Sequence, residues 1–271
     1  VAVRAAVGVG TVTFLQQARL RPVPGRVARL EDAAGHLVDE MRRSGLVWGA
    51  PMMTWADGVL DVLVRTPCED ALRVDCGDAE VAGALAALRT ESVAGISWRA
   101  RGGPGPGQRP AAERAACSEF VLQTDALDDS SPVRAGDDGG PVPLYLLVPD
   151  PKLRRALVAW RSAFRDHDRI WLGSGPLEEA ACRQLADCDS ELNRGGRALV
   201  AELERAIGRP VYHFLHRHHA QVEAESTRPC PSCGRSWARV ADCGSRGLDR
   251  FEFRCEPCRL VSFRGLPDPN G

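Results

Sequence analysis

Lysine is nearly absent from this 271-residue sequence: of 35 basic side chains only Lys152 is not arginine. Arginine's planar fork grips phosphate better than an ammonium does. The bias runs evenly along the chain, however, and reads as coding composition, so it carries no functional weight. Long apolar runs are also missing. No stretch reaches the eighteen or so apolar residues of a membrane helix. Val1–Leu15 is too short and too broken by Gly and Thr for a secretory h-region. Net charge is close to nil, at −1, which excludes a general pull of the whole molecule toward nucleic acid. The familiar catalytic signatures are absent too. There is no G-x-x-x-x-G-K-S/T, no G-x-S-x-G and no H-E-x-x-H. Asp137-Asp138 sits in a Gly-rich loop, but no nucleophile or third carboxylate lies nearby. Asp187, Asp189 and Glu191 alternate without the glycine of a calcium loop and read as a solvated face. An enzyme is the less expected reading, with Asp137-Asp138 its one candidate for acid–base or Mg²⁺ chemistry.

Cysteine is plentiful. Ten are present, and with no export signal they point to a reducing, cytoplasmic setting in which thiols serve metals or cores. Four of them form two C-x-x-C pairs, C-P-S-C-G at Cys230–Gly234 and C-E-P-C at Cys255–Cys258. Two residues between thiolates let one tight turn aim both sulfurs at a single ion. Two such turns supply the closed tetrahedron of a structural zinc ribbon, with no position left for water. A redox C-x-x-C normally occurs singly, on a βαβ pattern. The expectation is therefore one structural Zn²⁺ on Cys230, Cys233, Cys255 and Cys258. The other six, Cys68, Cys76, Cys117, Cys182, Cys188 and Cys243, lack partners at ligand spacing and read as free buried thiols.

Hydrophobic periodicity orders the rest. Val12 and Phe14 alternate with threonines as a first strand. Val27, Leu30, Ala34, Leu37, Val38 and Met41 recur at helical spacing until Ser44-Gly45. Leu46–Met53 and Val59–Arg65 are strands joined by the hairpin signal Asp57-Gly58. A helix carrying Val81, Leu85 and Leu88 precedes a strand over Gly95–Ala100. The order βαββαβ is ferredoxin-like. Its third strand has no aromatic on which bases could stack, which argues against an RNA-recognition domain.

The Gly- and Pro-rich stretch Arg101–Arg114 reads as a hinge. Beyond it the pattern gives strands at Phe120–Gln123, Val142–Val148 and Ile170–Leu172. A helix face follows at Leu153, Leu157, Trp160 and Phe164. A helix over Leu177–Ile207 is open to a break at Gly195-Gly196 and stops at Gly208, and a last strand spans Val211–Leu215. His213, His216, His218 and His219 read as a solvated strand end. The expected architecture is α+β: a ferredoxin-like domain over 1–101, a flexible linker over 102–114, a second α/β domain over 115–222 and a zinc ribbon over 223–271.

Two segments, taken together, carry a resemblance. Ser131–Tyr145, S-P-V-R-A-G-D-D-G-G-P-V-P-L-Y, resembles a signature S-P-L-R-C-G-D-C-x-G-P-V-P-L-Y. The ribbon, with C-P-S-C-G-x-x-W at Cys230–Trp237 and F-E-F-R-C-E-P-C-R-L-V-S at Phe251–Ser262, resembles that of the same group. It is an uncharacterised bacterial family of zinc-ribbon proteins for which nucleic-acid binding has been suggested. The similarity runs from about Phe120 to Phe263. This chain departs from the signature at Ala135-Gly136-Asp137-Asp138, where the family has C-G-D-C. If relatives hold a second metal there, the departure implies that this loop holds none, its glycines and prolines being kept for turn geometry.

The functional expectation is a ribbon that binds nucleic acid weakly and non-specifically. Arg235, Arg239 and Arg259 would reach phosphates, while Trp237 would either offer a stacking platform or form the ribbon's core. The alternative is a protein–protein adaptor that uses the ribbon as a docking module on a larger complex. No membrane partner is expected.

Overall fold

A computed structural model describes residues 13–72, 77–103, 108–217, 219–220, 227–237 and 246–267. The chain divides into two compact units. The first takes in residues 1–115, 129–131 and 143–158, and the second residues 116–128, 132–142 and 159–271.

The first unit opens with β1 (Phe14–Leu20), α1 (Val27–Arg43), β2 (Trp48–Ala56), β3 (Val59–Thr66), α2 (Ala79–Glu91) and β4 (Trp98–Gly102). The strands pair antiparallel in the order β2-β3-β1-β4, the ferredoxin-like arrangement expected from the βαββαβ pattern. The β2–β3 turn places Asp57 and Gly58 at φ 51° and 70°, the two left-handed residues that a type I′ hairpin needs. Leu20 of β1 and Leu60, Val62 and Val64 of β3 point to one face. There they bury against Leu30, Leu37 and Met41 of α1 and Val81 and Leu88 of α2. The other face stays open, with Leu15 and Met52 exposed.

Three helices complete this unit's stretch of chain: α3 (Ala111–Ala115), α4 (Leu144–Leu147) and the N-terminal part of α5 (Pro151–Leu172). Arg155 ties α5 to both earlier helices. Its guanidinium donates twice to Asp78, at 2.8 and 3.0 Å, and once to Glu40 at 2.7 Å. Asp78 also caps α2, accepting from the N–H groups of Glu80 and Val81. Burial pushes both carboxyls up, but the Arg155 bonds outweigh it and hold them below their ordinary range.

The second unit contains β5 (Phe120–Leu122), β6 (Val133–Ala135), the remainder of α5, α6 (Glu178–Ala186), α7 (Glu191–Ile207) and β7 (Val211–Phe214). It continues with β8 (His219–Ala220), β9 (Phe253–Cys255), β10 (Leu260–Ser262) and β11 (Leu266–Pro267). Five strands form one sheet in the order β6-β5-β7-β10-β9. The pairing of β7 with β10 is parallel, Leu260 facing His213 and Val261 facing Phe214. The ribbon hairpin β9–β10 is thus the edge of the second unit's own sheet. The expected separation of a domain at 115–222 from a ribbon at 223–271 gives way to this shared sheet.

Several element expectations also change. Ile170–Leu172 ends helix α5 and is not a strand: Trp171 keeps the helical spacing of the face begun at Leu153, while Ile170 and Leu172 stay exposed. In the expected strand Val142–Val148, Pro143 starts the short helix α4. The helical stretch Leu177–Ile207 breaks at Asp187–Ser190, where the Ser190 hydroxyl caps α7 at the Asn193 N–H, 3.1 Å away. Helix α7 runs straight through Gly195-Gly196. Gly196 is there for close approach: a Cβ would lie 2.5 Å from His213 Cε1 and 2.8 Å from Trp160 Nε1. Of the expected linker 102–114, residues 111–114 are helical and Arg114 is buried. Residues 104–107 lie outside the described ones.

His213 is fully buried on β7, contrary to the solvated strand end expected for it. The Asn193 amide donates to the carbonyls of Gln184, Leu185 and Asp187. Its Oδ1 is left to accept from His213 Nε2 at 2.9 Å. Burial, and secondarily the Arg197 charge, pull the imidazole down to about 3, so it is neutral at physiological pH. His216 follows, drawn down to about 4 by burial. His218 lies outside the described residues.

Candidate metal centre

The four cysteines singled out by spacing converge in the second unit. The Sγ atoms of Cys230, Cys233, Cys255 and Cys258 all lie within 4.8 Å of one another, with Cys233 and Cys255 at 3.7 Å. A Zn–S bond of about 2.3 Å implies a tetrahedral edge of roughly 3.8 Å, whereas a disulfide needs about 2.05 Å. The donor set fits one tetrahedral ion, and none of the described cysteines is in a disulfide.

Local backbone geometry builds both turns. In the first, Gly234 takes φ 71°. Its N–H bonds Cys230 O at 2.8 Å, and the Cys230 N–H bonds Arg235 O at 2.8 Å. The N–H groups of Ser232 and Cys233 then point at the Cys230 sulfur, and that of Arg235 at Cys233. Peptide dipoles so placed favour thiolate over thiol. The Arg235 N–H leads in drawing the Cys233 thiol down to about 7. Burial holds the thiols of Cys230 and Cys255 above their ordinary value. In the second turn Arg259 occupies the left-handed position at φ 51°, and Leu260 pairs back to Cys255.

A third turn repeats the pattern without thiols at its ligand positions. In the signature loop, the Gly139 N–H bonds Ala135 O at 2.9 Å, and the Ala135 N–H bonds Gly140 O at 2.9 Å. Gly139 has φ 71°, as Gly234 does. Where the Arg235 N–H meets the Cys233 sulfur, the Gly140 N–H meets Asp138 Oδ1 at 2.7 Å. A carboxylate takes the thiolate's place as acceptor. The loop is pinned from outside as well, Gly136 O accepting from the Leu248 N–H at 2.7 Å.

The residues expected to touch nucleic acid fare differently from one another. Trp237 is buried, stacked on Phe253 at 5.3 Å, and its Nε1–H donates to Arg228 O at 3.0 Å. Arg228 lies over both rings, at 4.8 and 4.4 Å. Trp237 is therefore the ribbon's core and offers no stacking surface. Arg259 donates to Glu204 at 3.0 and 3.1 Å and stands near the Tyr212 ring, so its charge is largely spent inside the fold. Arg254 is similarly tied to Glu119 at 2.8 Å. Arg235 is exposed at the knuckle tip. Arg239 lies outside the described residues. Counting charges along the ribbon overstates its pull on phosphate because these guanidiniums cap rings and pair acids.

Sequence spacing missed two supports of the centre. Cys188, in the α6–α7 connection, packs in one buried cluster with Cys230, Cys255 and Trp237. Arg197 on α7 donates to Cys188 Sγ at 3.3 Å and to Ser232 Oγ at 3.0 Å, so a helix steadies the first knuckle. Neither residue has ligand spacing, and only the helix face of Arg197 offered a signal.

Residues 114–216 match the family described as domain of unknown function DUF2310, and residues 220–264 that described as domain of unknown function DUF8594. Two uncharacterized proteins of Haemophilus influenzae are similar to this chain. One is 30% identical over 233 residues, 83% of this chain and 87% of the relative. The other is 36% identical over 144 residues, 52% and 69% respectively. Among solved structures, Rv0793 of Mycobacterium tuberculosis aligns with 35% of this chain and 99% of its own, at 13% identity and a TM-score of 0.29. A putative antibiotic biosynthesis monooxygenase from Caulobacter crescentus aligns with 33% and 88%, at 19% identity and the same TM-score. The ferredoxin-like assignment of the first unit rests on its own strand order. No described helix is long and apolar enough to cross a membrane.

Proposed function

This chain belongs to the family of those two Haemophilus influenzae proteins, and we propose that it is a binding protein. One structural zinc ion holds it together, and its ligand is nucleic acid, taken weakly and without sequence preference. The observation that carries the metal part is the closed thiol tetrahedron at Cys230, Cys233, Cys255 and Cys258. Four protein sulfurs complete the shell, so the ion would fix the two turns and leave no position for substrate. Zinc is favoured because a closed shell of four thiolates on two C-x-x-C turns is the structural site it takes, and here the centre would fasten β9 and β10 to β7. Arg235 is the ribbon residue best placed to meet a phosphate.

A second reading, a protein-docking adaptor, is favoured by one feature. The knuckle tip, residues 231–236, is exposed throughout and carries a single charge, Arg235. Titration of the full, zinc-loaded chain with labelled single-stranded and duplex oligonucleotides at low and raised salt separates the two readings. Micromolar or weaker binding that fades with salt fits phosphate contacts. No binding at ~20 mM salt, with a defined protein retained through a high-salt wash, fits the adaptor.

A further inference from the structure

The open face of the first unit's sheet collects arginines from three strands. On β1, β3 and β4 the outward positions include Arg19, Arg65, Arg99 and Arg101. The register sets Arg99 beside Gln17 and Arg19 beside Asp61. Arg19 pairs with Asp61 at 3.2 Å while its side chain stays 60% exposed, and Arg65 approaches Asp129 at only 3.7 Å. Arg101 donates to Gln17, and Arg99 has no ion pair among the described residues. Four arginines less those two carboxylates leave +2 on one side of a sheet in a chain whose net charge is −1. Beside the cations lie the exposed side chains of Leu15 on β1 and Met52 on the edge strand β2.

We propose that this face is the nucleic-acid contact surface of the protein, engaging the phosphate backbone; the proposal rests on the binding function inferred above and moves its site from the ribbon to the sheet. Charge decides between candidate occupants. A second copy packed face to face by a two-fold axis would set this positive face against itself, arginine against arginine. A polyanion meets it with complementary charge and releases counterions on binding. Leu15 and Leu63, on the central strands β1 and β3, stand where a base-reading sheet would carry aromatic rings, so the contact is made to phosphates and tells sequences apart poorly. Ribbon arginines 254 and 259, by contrast, are already held by acids of their own unit.

The test compares the full, zinc-loaded chain with Arg99→Glu/Arg101→Glu, with Arg89→Glu on helix α2 as a control for overall charge, and with Arg235→Glu on the ribbon. Binding of labelled oligothymidylate is followed against salt, and light scattering gives the oligomeric state. A glutamine pair at 99 and 101, with an unchanged melting temperature, guards against misfolding. The proposal expects the glutamate pair to weaken binding at least tenfold. Loss of two single-strand phosphate contacts should flatten the slope of log K against log salt by about 1.4. Arg89→Glu should change affinity less than threefold. If the parent binds but the 99/101 pair is no worse than Arg89→Glu, while Arg235→Glu loses affinity, the sheet site is wrong and the ribbon reading stands. If the parent does not bind at ~20 mM salt, both fail. A parent dimer that the glutamate pair dissociates would make the face a self-contact and overturn the proposal.

Discussion

At the scale of single residues, charge and burial make the sharpest predictions. Removing the Arg155 guanidinium leaves Glu40 with Arg43 alone and Asp78 with only the N–H groups of Glu80 and Val81, on side chains just 5% and 2% exposed. An Arg155→Met substitution should therefore cost about 3 kcal/mol, the range for uncoupling a buried pair, read as a lowered urea midpoint of the first unit. Both carboxyls lie below their unfolded values of roughly 4.3 and 3.9. The stability they lend is present above those values and is lost as pH falls through the folded ones, so the gap between parent and variant should close in acid. His213 works over a higher window. Its folded value near 3 lies below the unfolded ~6.5. The second unit should thus be most stable above about pH 6.5 and should weaken steadily toward pH 3. Urea melts followed by Trp160 fluorescence test this, and a His213→Leu variant should show a flatter acid slope from a lower starting stability. None of this was legible beforehand. Local sequence shows a histidine in a polar run, and only the Asn193 amide, locked by three carbonyls, reveals why the ring can be buried neutral.

Among the elements, those read correctly were the ones whose signals are local. Helix α1 announces itself by spacing, the β2–β3 hairpin by Asp57-Gly58, and the end of α7 by Gly208 at φ 66°. Elements misread were those where long-range packing decides. Gly195-Gly196 leaves a break open, yet helix α7 continues, and Gly196 there clears His213 and Trp160. A Gly196→Ala variant should for this reason lose about 1–3 kcal/mol through overpacking, even though alanine gains up to about 1 kcal/mol in helix propensity. Calorimetry of the two proteins gives the sign. The metal turns were legible because each needs only five residues and a left-handed fifth position, and the Ala135–Gly140 turn keeps that backbone after its ligand positions have changed. Asp138 should carry more of that turn than its exposure suggests. Asp138→Ala frees the Gly140 N–H and should cost about 1 kcal/mol, with faster amide exchange at Gly140, whereas Asp138→Asn should retain most of the protection.

For the whole molecule, the ferredoxin-like first unit could be written from the sequence, but the union of ribbon and second unit could not. Parallel pairing of β10 with β7 joins segments distant in the chain, and no periodicity in either strand names its partner. The union changes what metal removal should do. A detached ribbon would unfold alone, whereas here loss of the ion frees an edge hairpin hydrogen-bonded to β7 and packed on Cys188, so the melt of the second unit should fall while that of the first holds. Cys255→Ser should act in the same way. The central claim, one zinc ion on four named thiols, is tested most directly by native mass spectrometry of the full chain beside Cys255→Ser. The account predicts a mass increment of one zinc ion in the parent, lost on acidification and missing from the variant. An increment of two ions, of iron, or of none, or a variant that keeps the parent's zinc, would contradict it.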